Sequence, residues 1–313
     1  MFNPGGRFLQ HTLNILRGLA WAAALSTLTT IGLTTVVTKP ALAEYEIQES
    51  QVEKGEAEVE YRGAVHWGVS KPGGEGGAGG DDDDEAAAGG SALEEEEEEA
   101  GLVQSHDIEF AYGFTDRVMF STTLITDEPI DDDFDLSGVE IEGQYEIIER
   151  EGDGLGLAFI GAYGFATRSG EADEIEFGPI VELESGPLLL TFNPFLSAQV
   201  GNNREADGLG FQYGWRGEYK FASKWGAGVE MFGEIEDLSN SGPFDAQSHS
   251  IGPTLFYNPS GEDDNVGGEG DDDEENNVGG EPEMEFTLNV GLQFGLTEAA
   301  SDTALKFQGS LAF

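Results

Sequence analysis

The residues with chemistry to offer are carboxylates and a few histidines. The chain has 313 residues, no Cys and four His. A thiol nucleophile, a disulfide framework and any cysteine-ligated metal are therefore excluded. Two histidines have serine neighbours, in Ser105-His106 and Ser248-His249-Ser250. A Ser/His nucleophile needs mutual hydrogen-bond reach and a third, orienting group. Neither segment brings such a group or a recognisable nucleophile motif, so no catalytic residue is expected. His66 stands alone among carboxylates, where it reads as polar lining.

The carboxylates dominate. Asp plus Glu is 62 against 14 Lys plus Arg, a formal net charge of −48. Such a surface repels phosphate, so no nucleic-acid partner is expected. More than a third of the 62 acids lie in two Gly-rich inserts, 72–102 and 261–284. These have too little apolar content to offset ordering entropy and are expected to be disordered. Neither has the ligand spacing of a calcium loop, so no metal site or cofactor is expected.

Residues 1–43 have another composition. Arg7, His11 and Arg17 precede an apolar stretch, and Ala41-Leu42-Ala43 fits a small-x-small cleavage site. That order reads as a signal peptide, leaving 44–313 as the mature chain. A single membrane anchor is the rival reading. The Ser and Thr residues between 26 and 35 make it a weak span.

Outside the inserts, apolar residues recur at every second position. Examples are Val59, Tyr61, Val65 and Trp67; Leu155, Leu157, Phe159, Tyr163 and Phe165; and Phe286, Leu288, Val290, Leu292 and Phe294. The pattern predicts about twelve strands, most 9–15 residues long, which suits membrane crossing better than a soluble sheet. The opposite parity is polar. It places Arg62, His66, Glu109, Arg117, Glu142, Glu176, Arg216 and Glu230 on one face.

Alternation alone fits a soluble barrel or an inside-out membrane barrel. The signal peptide, the aromatic residues near strand ends and the last strand favour the second. That strand, 305–313, carries Leu311 and ends on Phe313. This ending resembles the C-terminal signal that the barrel-assembly machinery reads. The fold expected is an all-β, antiparallel transmembrane barrel in the outer membrane, in contact with its lipid. With both ends periplasmic, the even connections are short. The acidic stretch 258–282 is the exception, unless the strand count is off by one there.

Several stretches resemble a group of proteobacterial outer-membrane barrels labelled as transporters or meta-pathway phenol-degradation-like proteins. They are HDIEFAYGFTDRVMF (106–120), VEIEGQYEI (139–147), IEFGPIVE (175–182), FQYGWRGEYKF (211–221), GVEMFGEIEDL (228–238), SIGPTLFY (250–257) and the last twenty residues. The resemblance implies transport of small, aromatic compounds and assigns no substrate site. From the residues themselves, inward carboxylates outnumber inward bases about three to one, which predicts a cation-preferring pore for small solutes. A non-conducting structural or surface-exposed barrel shares every one of these features. A lipid-acting hydrolase is the third class.

Overall fold

A computed structural model describes residues 45–69, 101–128, 134–204, 206–259 and 284–313. The expected signal peptide and most of both acidic inserts lie outside the described residues.

Twelve antiparallel strands close into one barrel. In chain order they are β1 (Ala57–Val69), β2 (Gly101–Thr115), β3 (Val118–Glu128), β4 (Asp135–Ile148), β5 (Gly154–Ala166) and β6 (Asp173–Ser185). There follow β7 (Leu188–Val200), β8 (Gly210–Ala222), β9 (Trp225–Ile235), β10 (Ser248–Tyr257), β11 (Glu285–Gly295) and β12 (Thr303–Ala312). The predicted insert 72–102 is shorter at its end, because the backbone of Gly101 and Leu102 already belongs to β2.

Each strand neighbours its sequence neighbour, and β1 meets β12 to close the sheet. The seam pairs Val59 with Leu311 and Arg62 with Gln308. Beyond β12, the Phe313 N–H donates to the Ala57 carbonyl at 3.0 Å and the Ala57 N–H returns the bond at 2.9 Å. No strand is left with a free edge, so the ladders are satisfied within the sheet except at local bulges and gaps in register.

One end of the barrel, the terminal rim, carries the start of β1, the end of β12 and four short connections. The other end, the loop rim, carries the connection with a short 3₁₀ turn at Phe244–Ala246. The acidic connection between Tyr257 and Glu285 leaves and returns at the terminal rim. The strand count therefore stands, and that insert is an exception to the short-connection pattern.

The faces decide between the two barrel types. Phe110, Tyr145 and Phe221 point outward and are 51%, 50% and 56% exposed, with Leu, Ile and Val around them. Glu182, Glu230 and Gln293 point inward and are 0% exposed. A water-soluble barrel would be built the other way round, because each exposed large apolar side chain forfeits roughly 1.5–3 kcal/mol of burial. An outside that is apolar and an inside that is polar is the membrane-barrel arrangement.

The outer wall is tightly joined at Gly63. Gly63 lies between Phe307 of β12 and His106 of β2 in the cross-strand row. Both rings close over it, so an added Cβ would collide with them. Tyr61 stacks on His106 at 5.9 Å, with its hydroxyl 2.8 Å from Nδ1. Replacing Gly63 with Val pushes both rings off the seam strand, at about 1–3 kcal/mol for overpacking. The expected result is a lower temperature for the heat-induced gel shift of the folded barrel. An unchanged transition would mean that the rings move aside freely.

Candidate functional site: the lumen and its threaded segment

The strands turn one residue in two toward the axis, which assembles the polar residues of separate strands into a common lining. Through this lining runs a segment to which the sequence pattern assigns no element, Tyr45 to Glu56. It enters beside the loop rim and leaves at the terminal rim. At the first end the Tyr45 ring stacks on His66 at 5.3 Å. At the other, the Gly55 N–H donates to the Gly113 carbonyl at 2.8 Å, and the Gly113 N–H to the Glu56 carbonyl at 3.0 Å. Gly55 has φ +87°, which favours glycine where the segment turns into β1.

Between its ends the segment is held by wall side chains in place of sheet partners. Asn193 accepts from the Gln48 N–H at 2.8 Å and donates its amide to the Gln48 carbonyl at 3.1 Å. Glu182 accepts from the Ser50 N–H at 3.1 Å and from its hydroxyl. Gln144 donates to the Glu49 carbonyl at 3.1 Å. The backbone of an extended strand would otherwise need water or a ladder. Here the wall supplies both donors and acceptors. Ile47 is buried and fits opposite Gly214, where a Cβ would meet its Cδ1.

Two arginines anchor the segment's acids. Arg62 Nη1 lies 2.5 Å from Glu46, 3.0 Å from Glu60 and 2.9 Å from Glu109. The oxygens of these three carboxylates lie within 4.8 Å of one another, a spacing that would suit a metal ion. The guanidinium occupies that role. Arg216 reaches Glu49 at 2.7 Å, with its own side chain 6% exposed and that of Glu49 58% exposed. The pair therefore borders the part of the lumen still open to water. A third cation, Lys306, lies 2.7 Å from Glu230, which also accepts from Thr254 at 2.7 Å. Both side chains of that ion pair are nearly sealed from solvent, at 2% and 1%. At the terminal rim, burial and the neighbouring carboxylates of Glu53 and Glu285 push the Glu56 carboxyl above its usual range.

The eight residues expected in the lumen fall into distinct settings. Arg62, Glu109, Arg216 and Glu230 make the ion pairs just described. His66 meets Tyr45 and the Ser301 hydroxyl, its Nδ1 3.2 Å from Oγ. Glu142 and Glu176 line a narrow lumen cavity of about 40 Å³ with Glu46, Gln48 and Asn193. Arg117 lies in the turn between β2 and β3, exposed, and donates to the Ile147 carbonyl at 3.2 Å. Of the two terminal residues, Leu311 points outward on the seam strand and Phe313 follows its end.

Sequence reasoning passed over Lys306, Asn193, Gln144 and the whole threaded segment. Parity was available for Lys306, since it shares the inward face of β12 with Gln308 and Ser310. The two Ser/His segments separate on folding. His106 and His249 face outward with Tyr61 and Tyr213 as partners, and their Ser neighbours fall on the opposite face by strand alternation.

No protein-family model matches the chain, and no curated protein matches its sequence. Solved structures do match. The COG4313 outer membrane channel from Pseudomonas putida F1 aligns with a TM-score of 0.51 at 9% identity, over 86% of this chain and 100% of that one. The chain shares the fold of that structure. A KdgM porin in complex with disordered oligogalacturonate gives a TM-score of 0.43 at 7% identity, over 82% and 98% of the two chains. At such identities the likeness is one of fold. The phenol-degradation label rests on the sequence resemblance alone.

Proposed function

We propose that this protein is an outer-membrane channel for small solutes whose conducting path is the lumen now occupied by residues 45–56. The observation that carries this reading is the way the segment is held. Its contacts are mostly polar and individually exchangeable with water, and they sit in a lining that remains a closed, polar tube without them. A purely structural barrel could fill its lumen with wall side chains, as smaller barrels do. This one fills it with a separable segment. Export by the predicted signal peptide and assembly through the Leu311–Phe313 strand complete the proposal.

The same lining supports preference for cations. Arg62, Arg150, Arg216, Lys220 and Lys306 are outnumbered by Glu60, Glu109, Glu140, Glu142, Glu146, Glu176, Glu182, Glu184, Glu218 and Glu230, and the segment adds Glu46 and Glu49. Fixed charges of one sign around a narrow aqueous path raise the local concentration of counter-ions.

The test is conductance of the folded chain in a planar bilayer, with Glu142→Gln and Glu176→Gln as variants. These two border the remaining cavity. Cation over anion permeability is expected to fall several-fold in the double variant with little change in stability. An unaltered permeability ratio would move the path elsewhere.

A further inference from the structure

A groove runs along the outward face of the barrel beside the loop rim. Its floor is β3, with Leu124 and Thr126. One bank is β2, with His106 and Ile108, and the other is the chain entering β4, with Phe134 and Leu136. The register of β3 and β4 shifts between Ile125 and Thr126. Across the floor the Phe134 ring meets His106 edge-on, with centroids 5.5 Å apart. The Thr126 hydroxyl turns back to the His106 carbonyl, which leaves its methyl on the floor. The cavity measures about 580 Å³, within the range of roughly 300–1,000 Å³ that small ligands occupy.

The groove changes polarity along its length. Gln104 and Glu128 close its rim end, the Gln104 amide donating to Glu128 Oε2 at 2.6 Å. Ile108 and Leu124 lie toward the membrane centre. A carboxylate is costly in hydrocarbon, so the edge of the hydrocarbon crosses the groove between Leu124 and Glu128. His106 stands at that edge. Its Nδ1 lies 2.8 Å from the Tyr61 hydroxyl. With Tyr61 donating, the ring proton sits on Nε2. That nitrogen has no hydrogen-bond partner among the described residues. The other outward histidine with a tyrosine partner differs here. His249 lies 3.0 Å from the Tyr213 hydroxyl through Nδ1, and its Nε2 lies 3.1 Å from Gln247 Oε1. One His–Tyr pair is closed by its own chain. The other holds a donor at the groove.

We infer that this groove binds one glycolipid molecule of the leaflet at the loop rim, with an amide-linked acyl chain lying along Leu124 and Ile108. The outward wall already faces lipid, so the site continues an interface that the fold establishes. An acyl amide brings a carbonyl acceptor for His106 Nε2 and an N–H donor for Glu128. That carboxylate keeps acceptor capacity after its bond from Gln104. His106 pairs with Thr126 and Gln104 with Glu128. The two groups are thus two residues apart along the strands, about 7 Å, a gap that an amide spans with a hydrogen bond on each side. An ester-linked chain offers the carbonyl and no N–H. With both chain ends periplasmic, the loop rim faces outward, where an outer membrane carries sugar lipids with amide-linked chains. The inference does not depend on whether the lumen conducts.

The experiment is native mass spectrometry of the full mature chain, released from mixed micelles that hold lipid A and phosphatidylethanolamine in equal amounts. Wild type is expected to retain one lipid A, and phosphatidylethanolamine several-fold less. His106→Leu removes the donor and keeps the wall apolar. It is expected to lower lipid A retention about tenfold, the effect of one lost hydrogen bond. His106→Gln keeps an N–H donor and should restore most of it. Thr126→Trp fills the floor and should abolish retention. His249→Leu, on another part of the wall, should leave it unchanged. Each variant is first checked for the heat-modifiable folded form. Should T126W not fold, H106L against H106Q decides alone, since both substitute one outward side chain. Equal retention of the two lipids by wild type would mean ordinary boundary lipid and overturn the inference. Lipid A retention that H106L leaves unchanged, or no retention by wild type, would equally overturn it.

Discussion

Deleting residues 45–53 is expected to raise single-channel conductance on the order of tenfold, since ionic current follows the open cross-section of the path. The wild-type lumen retains a cavity of about 40 Å³ near Glu142 and Glu176, room for only a few waters. Removing the segment clears the lumen centre and leaves the wall unbroken, because all twelve strand pairings exclude it. The deletion retains Gly55, whose turn starts β1. It also frees Arg216 from Glu49, and leaves Arg62 with Glu60 and Glu109 as partners. The folded form is checked by its gel shift before current is recorded. A folded deletion barrel with wild-type conductance would mean that the path is closed elsewhere.

The second large effect concerns the sealed ion pair. Lys306→Met removes the cation from Glu230, a carboxylate with 1% of its side chain exposed. An uncompensated buried charge costs about 3–5 kcal/mol. The double variant Glu230→Gln, Lys306→Met keeps comparable volume and removes both charges, so it should recover most of that loss. Denaturant midpoints of the refolded barrel in detergent would separate the three proteins. If the single variant is as stable as wild type, Glu230 is not sealed from solvent as described. If the double variant is no better than the single, packing around Gly291 and Thr254, rather than charge, sets the stability there. Gly291 is the position across from Lys306 where an added Cβ would press on its stem and on Thr254.

The wall was legible in the sequence because the bilayer imposes a strict rule on it. Most outward residues must be apolar, so a period of two survives through twelve strands, as in Leu188, Leu190 and Phe192 or Leu288, Val290 and Leu292. Parity then located Glu109, Glu142, Arg216 and Glu230 on the inner face without knowledge of their partners. It also placed Arg117 there, but alternation ends at the turn. The register shifts between Gly113 and Thr115, and the side chain emerges at the rim. The threaded segment left no comparable mark. Tyr45 and Ile47 alternate briefly, then Gln48, Glu49, Ser50 and Gln51 run on as a polar linker would. What fixes them is Asn193, Gln144, Glu182 and two arginines, each distant in sequence and each unremarkable alone. Polar matching of this kind has no periodicity to read. Lys306 had parity in its favour, alternating with Leu305 and Phe307. That it is sealed and paired shows only once Glu230 is seen beside it.

The central claim is that an acid-rich lumen, partly filled by the chain's own N-terminal segment, passes cations. The reversal potential under a tenfold KCl gradient, measured on wild type and on the 45–53 deletion, tests it most directly. The account predicts a potential of the cation-selective sign in both, with larger current and a smaller magnitude in the deletion, where the wider path dilutes the influence of the wall. A potential of the anion-selective sign at neutral pH in either protein would contradict it.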